Sequence, residues 1–242
     1  MVNRSLILSM PTILNQTAVL LSGTGKICRR LAPRLSAAGY NLILCSRSGS
    51  SLSLPNTLGI KFNWFDFETY DGPFTAANRL KFPPISAIFL TTPPTTNAFP
   101  LAKQFLNSAL KYGVKRIAFL SGTCLEIGDG PVLSQISEYI RRLSINHHLK
   151  ISYTILRSTW FIENFSEMEN HVQSIRNENK IVSAAGKGRA AFVSAGDVAE
   201  VVFKCLTSEV GINMELVLLG PELLSLDDVC SMAASLRLLH AC

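Results

Sequence analysis

No stretch of the 242 residues is long and apolar enough to form a single helix crossing a membrane, so no membrane partner is expected. Charge is sparse, at 17% of residues, with Lys and Arg exceeding Asp and Glu by 23 to 17. The cations are scattered (Arg29, Arg30, Arg34, Lys111, Lys115, Arg116, Arg141, Arg142, Lys187, Arg189). They make no dense basic run, and no zinc-finger or RNA-binding signature accompanies them, which excludes the usual nucleic-acid footprints. A net charge of +6 is still enough to draw in an anionic ligand. The six cysteines (Cys28, Cys45, Cys124, Cys205, Cys230, Cys242) form no Cys-x-x-Cys pair, so neither a metal site nor a redox motif is indicated. Cys45 and Cys205 sit in apolar runs and are expected to be buried, reduced thiols of a cytoplasmic chain. Residues 1–16 carry one cation before Pro11 and Asn15-Gln16 break the apolar pattern, and read as an N-terminal extension rather than a secretory leader.

What is present is an apolar composition, 48% hydrophobic with positive mean hydropathy, sufficient for one sizeable α/β core. The most informative stretch is Ala18-Val-Leu-Leu-Ser-Gly-Thr-Gly-Lys-Ile-Cys28, an apolar strand, a glycine turn and the start of a basic helix. Backbone amides in such a turn, with the partial positive charge of the helix N-terminus, hold a pyrophosphate. The next strand, Asn41–Cys45, ends in Ser46-Arg47-Ser48. In a Rossmann unit that strand end lies beside the adenosine ribose, where a carboxylate suits a 2′-hydroxyl and an arginine a 2′-phosphate. The pattern points to NADP(H).

Strands and helices alternate, which predicts a doubly wound parallel sheet. Strands are expected at 17–21, 41–45, 58–62, 85–90, 115–121, 151–156 and 214–218, with short ones near Ile181 and Phe192. Helices are expected at 25–38, 98–112, 132–147, 161–175, 195–206 and 225–237. Loops are read at 46–55 and around Gly128–Pro131. Residues 17–157 form the dinucleotide-binding domain and 158–242 an interleaved C-terminal substrate-binding part. Ser225 with Asp228 forms a capping box for the last helix, Asp197 is read as a helix N-cap, and His147-His148 as a charged helix end.

With these residues in place the chain resembles the NmrA-like atypical short-chain dehydrogenases, and within them the fungal ergot-alkaloid reductases, the festuclavine and agroclavine dehydrogenases. The matching blocks are Val19–Gly25, Cys45–Ser48, Lys61–Asp66, Ile85–Pro94, Tyr153–Phe165, Phe192–Ala199 and Leu219–Leu224. The resemblance implies an NADP(H) reductase delivering hydride to a C=N bond of a tetracyclic indole alkaloid. It implies that Ser22, Gly23, Thr24, Gly25, Lys26 and Ile27 meet the pyrophosphate, Arg47 and Ser48 the 2′-phosphate, and Asp66 the adenine edge. Thr92, Pro93 and Pro94 would lie under the nicotinamide half. The chain departs from the family at several positions. Ser22 stands where the family has the first glycine, Cys28 where it has the third small residue, Ser158 replaces a proline, and Gln135 stands where many relatives carry lysine. Relatives also continue past the last helix, so the substrate-binding part is expected to be incomplete. A homo-oligomer or a pathway-enzyme partner is compatible with the resemblance.

One absence bears on the chemistry. Ordinary short-chain dehydrogenases use a Tyr-x-x-x-Lys pair for proton transfer, yet Tyr112, Tyr139 and Tyr153 are followed four residues on by Arg116, Leu143 and Arg157. Reduction of an iminium carbon needs no proton donor at the hydride step, so no catalytic side chain is assigned. Substrate contacts are sought in Ser121, Trp160, Phe161, Glu163, Asn164 and Phe165, against the readings of a plain turn serine for Ser121 and core packing for the aromatic residues. Cys28 is read as a packing thiol rather than a reactive one. The alternative to a reductase is an NmrA-like, NADP(H)-binding redox sensor without turnover.

Overall fold

The computed structural model describes residues 15–123, 132–145 and 150–239, with side chains to 232. Residues 1–14 of the N-terminal extension, Cys124, the Gly128–Pro131 loop, His147-His148 and Cys242 therefore lie outside the described residues. Seven parallel strands form one sheet: β1 (Thr17–Leu21), β2 (Asn41–Ser46), β3 (Thr57–Lys61), β4 (Ile85–Leu90), β5 (Arg116–Gly122), β6 (Ser152–Ser158) and, after a short strand β7 (Arg189–Ala190), β8 (Met214–Leu218). Their order is β3-β2-β1-β4-β5-β6-β8. The order reverses between β1 and β4, the switch point at which an open α/β sheet presents a ligand crevice. Strands β1 and β2 are buried at every residue, and their continuous Val/Leu/Ile runs reflect a sheet covered on both faces.

One face is covered by α1 (Cys28–Ala37) and α7 (Ala195–Thr207), which pack on each other and on Leu20, Leu42, Leu44 and Phe89. The other is covered by α2 (Gly72–Arg79), α3 (Ala98–Lys111) and α4 (Val132–Ile145), closing over Ile43, Ile88, Phe119 and Ile155. Parallel strands need crossovers, and these helices supply most of them, α1 and α7 on one face and α2, α3 and α4 on the other. Through β8 and α7, the segment after residue 158 contributes a strand and a helix to the same two-sided core.

Several expectations are corrected. The helix expected over 161–175 is two, α5 (Asn164–Glu167) and α6 (Glu169–Glu178), because Met168 between them is extended (φ −91°, ψ 121°). No strand forms at Ile181; instead β7 pairs antiparallel with β9 (Leu224–Ser225), and Phe161 bridges to Val193. The first helix begins at Cys28 rather than residue 25, since the glycine turn occupies the intervening residues. The sequence reading missed α2 and the 3₁₀ turn Phe67–Thr69. Asp197 is not the N-cap of α7. Ser194 is, its Oγ accepting the Gly196 amide at 2.9 Å, while Asp197 sits in the first turn. The capping box at α8 (Leu226–Leu239) forms as read: Asp228 Oδ2 accepts the Ser225 amide at 2.8 Å and Ser225 Oγ accepts the Asp228 amide at 3.1 Å. Hydrogen bonds from Ser225 hold the Asp228 carboxyl below the usual range.

Candidate dinucleotide site

The glycine turn leaves β1 with Ser22 in the left-handed region at φ 56°. That conformation is costly for any residue with a Cβ and explains why a glycine is the usual choice there. The Ser22 hydroxyl lies 2.8 Å from that of Thr91 at the end of β4. The Gly23 amide donates to Cys45 O at 2.8 Å and the Gly25 amide to Ser22 O at 2.7 Å, locking the turn against β2. A Cβ on Gly23 would lie 2.6 Å from Leu44 Cβ, so the close approach of turn and strand requires glycine. Among the described residues, the amides of Thr24, Lys26 and Ile27 have no backbone acceptor, leaving three donors ahead of α1 for an anion. Cys28 is buried and its thiol donates to Leu21 O at 3.3 Å; burial pushes the Cys28 and Cys45 thiols up in pKa, as fits packing groups.

A crevice of about 710 Å³ opens in front of this turn. Its walls include Ser22, Thr24, Gly25, Arg47, Asn63, Trp64, Phe65 and the Thr92–Thr95 segment. Arg47 is exposed at its rim. Ser48, beside it, bonds to Ser46 Oγ at 3.3 Å and Ser50 Oγ at 2.7 Å. Asp66 is occupied locally, capping the 3₁₀ turn by accepting the Glu68 amide at 3.2 Å, while Asn63, Trp64 and Phe65 face the crevice. Those three residues lie within the Lys61–Asp66 block that carries the family resemblance, and their position after β3 is the signal that could have singled them out.

The Thr92–Thr95 segment also walls a second chamber of about 330 Å³. Ser121, Leu120, Val132, Leu133, Ser158 and Phe161 complete it. Pro93 and Pro94 stand where β4 stops pairing, which keeps the crevice open. Of the residues sought as substrate contacts, Ser121 and Phe161 line this chamber. Trp160 and Phe165 instead form an aromatic group with His171 and Phe192 behind Phe161, with Trp160 44% exposed.

Glu163 and Asn164 turn toward other elements. The Glu163 carboxylate accepts the Ala195 amide at 2.9 Å and the Ser194 hydroxyl at 3.3 Å, and lies 3.7 Å from Arg30. It therefore anchors the N-terminus of α7, where a negative charge complements the helix dipole. Asn164 Oδ1 accepts the Lys26 ammonium at 2.5 Å, and that ammonium lies 5.9 Å from the Phe161 ring centroid. Burial lowers the Lys26 pKa, although the Glu167 and Glu163 carboxylates oppose the shift. Glu167 receives Arg29 at 2.6 Å and Arg30 at 2.7 Å; the Arg30 hydrogen bond holds its carboxyl below the usual range.

No protein-family model matches the chain. Festuclavine synthase I of Penicillium roqueforti is 37% identical over 220 residues, covering 91% of this chain and 74% of the relative. Agroclavine dehydrogenase of Claviceps fusiformis is 35% identical over 216 residues, covering 88% and 71%. The crystal structure of Citrobacter sp. triphenylmethane reductase complexed with NADP(H) superposes with a TM-score of 0.65 at 19% identity, covering 91% of this chain and 75% of that one, a likeness of fold. With such identity maintained over most of its length, the chain belongs to the festuclavine synthase and agroclavine dehydrogenase family of oxidoreductases.

Proposed function

We propose that this chain is an NADP(H)-dependent reductase delivering hydride to the carbon of an iminium C=N bond in an ergot-alkaloid intermediate. The observation that carries the reading is a crevice with an arginine at its rim that shares the Thr92–Thr95 wall with a second chamber free of ionisable side chains among the described residues. All five tyrosines are engaged elsewhere. Tyr40 donates to Leu206 O, Tyr70 to Trp64 O and Tyr139 to Asn107 Oδ1, Tyr112 stacks on Phe74, and Tyr153 is buried in β6. Among the described residues that line the chamber there is no tyrosine or ionisable side chain to donate a proton to an alkoxide, which favours an acceptor that is already cationic. When bound, NADPH supplies hydride to such an acceptor, whose C=N π pair withdraws onto nitrogen to give a neutral amine.

The chain's own residues bind and orient. The free amides of Thr24, Lys26 and Ile27 hold the pyrophosphate, and Arg47 with Ser48 reads the 2′-phosphate as a planar guanidinium can. Thr92, Pro93 and Pro94 form the floor under the nicotinamide half. Phe161 offers a ring face to a planar cation, and the Ser121 hydroxyl a single polar contact. Positioning of this kind accounts for much of the barrier reduction open to a site without an acid or base. The names of the curated relatives support the alkaloid class.

The test has two parts. Calorimetry should show NADP⁺ binding more tightly than NAD⁺, with the preference reduced at least about tenfold by Arg47→Ala, as expected for one lost charge-assisted phosphate contact. NADPH absorbance should then fall in the presence of cyclic indole-alkaloid iminium salts. Tight NADP⁺ binding without oxidation by any iminium would replace the reductase with a dinucleotide-binding regulator.

A further inference from the structure

Lys26 has its backbone in the phosphate turn and its side-chain tip against the start of α5. Its amide has no backbone acceptor among the described residues, whereas its ammonium meets Asn164 at the start of α5 and lies 5.9 Å from the Phe161 ring centroid. Phe161 in turn lines the second chamber together with Ser121 and Ser158. One side chain thus separates the pyrophosphate position from the chamber wall. We infer that Asn164 is a positioning residue that, through Lys26, couples dinucleotide binding to the order of the Phe161 wall; the inference rests on the dinucleotide reading given above.

Three observations support the coupling. Asn164 is only 7% exposed and Lys26 is partly buried, so their contact is less open to solvent than the pair of half-exposed Arg29 with Glu167. Shielded polar contacts hold geometry, whereas exposed ion pairs contribute little. The charges around the ammonium also balance: Glu163 and Glu167 face Arg29 and Arg30, and among the described residues no carboxylate lies at hydrogen-bond distance from Lys26. A neutral amide is the suitable acceptor here, because it fixes the ammonium without cancelling the charge that a diphosphate would feel. Finally, α5 is a single turn joined to α6 through the extended Met168, so its placement depends on what it docks against.

Amide hydrogen exchange on the full chain, with NADP⁺ as the probe, tests the coupling. In the wild type NADP⁺ should slow exchange in residues 22–30 and also in 159–170. Asn164→Ala should still bind, about 3- to 10-fold more weakly, protecting 22–30 while leaving 159–170 at its unliganded rate. Lys26→Met should behave likewise, and the double variant should lose little more affinity than either single one; this arm stands if Asn164→Ala does not fold. Asn164→Asp, which retains an acceptor but adds a negative charge, should keep the 159–170 protection while binding NADP⁺ more weakly. Full NADP⁺-dependent protection of 159–170 in Asn164→Ala or Lys26→Met overturns the inference, as does a wild type that binds without protecting that segment. A wild type giving no binding heat overturns the cofactor reading, and this inference with it.

Discussion

Ser22 Oγ and Thr91 Oγ1 lie 2.8 Å apart, joining the ends of β1 and β4 across the point where the strand order reverses. Ser22 makes this contact from a left-handed backbone at φ 56°, so one residue combines a strained turn with a cross-strand link at the mouth of the crevice.

That pairing separates two variants. Ser22→Ala keeps the backbone strain and loses the hydroxyl, whereas Ser22→Gly loses both. Ser22→Ala should therefore be less stable than Ser22→Gly by roughly 1 kcal/mol, the cost of a Cβ in the left-handed region. Chemical denaturation of the two proteins side by side checks this, and equal midpoints would show that Ser22 carries no strain.

At Gly23 the constraint is steric. The new methyl of Gly23→Ala would meet Leu44 Cβ at 2.6 Å and the Leu44 backbone at 2.9 Å. Turn or strand must shift, and overpacking of this kind costs about 1–3 kcal/mol. The denaturation midpoint should fall and NADP⁺ heat should drop with it. A variant as stable as the wild type would mean that the turn is not clamped to β2.

Glu163 offers a test of structural against substrate roles. Its carboxylate accepts the Ala195 amide and faces Arg30. Glu163→Ala should cost roughly 1–2 kcal/mol of stability, as for the loss of a helix N-terminal acceptor. Glu163→Gln should recover part of that. Any change in turnover should track stability; a variant that folds as well as the wild type but loses substrate affinity would place Glu163 in the substrate site instead.

The α1–α5 contacts carry a pH signature. Arg30 lowers the Glu167 pKa in the folded chain, so the ionised carboxylate contributes stability above the ordinary carboxylate value of about 4.3, and that contribution is lost as pH falls through the lowered folded value. The protection of the 164–178 amides, taken relative to their intrinsic exchange rate at each pH, should therefore fall on acidification below about pH 4, and Glu167→Gln should flatten the dependence. An unchanged acid profile in that variant would mean that the pair contributes no pH-dependent stability, as many exposed pairs do not.

The sequence by itself determined the β1–turn–α1 unit, the buried strands, the order of the main elements and the capping box at Ser225 and Asp228. These signals are local: strand runs, glycine spacing and cap chemistry act within a few residues. Arg47 and the Thr92–Pro94 segment were legible for the same reason, since their position just past a strand end follows from the strand itself. Trp64 and Phe65 were not singled out, because nothing local distinguishes a crevice aromatic from a core one.

Only the tertiary structure decided where residues 160–168 point. It turned Glu163 to the α7 N-terminus, gathered Trp160 and Phe165 around His171, and joined Asn164 to Lys26 across 138 residues of chain. It also divided at Met168 a stretch whose spacing reads as one helix. Such choices depend on which surfaces α1 and α7 offer once they are packed side by side on the sheet. A polar side chain then takes the donor or acceptor nearest to hand, and that neighbour is fixed by the closing of the chain rather than by its spacing.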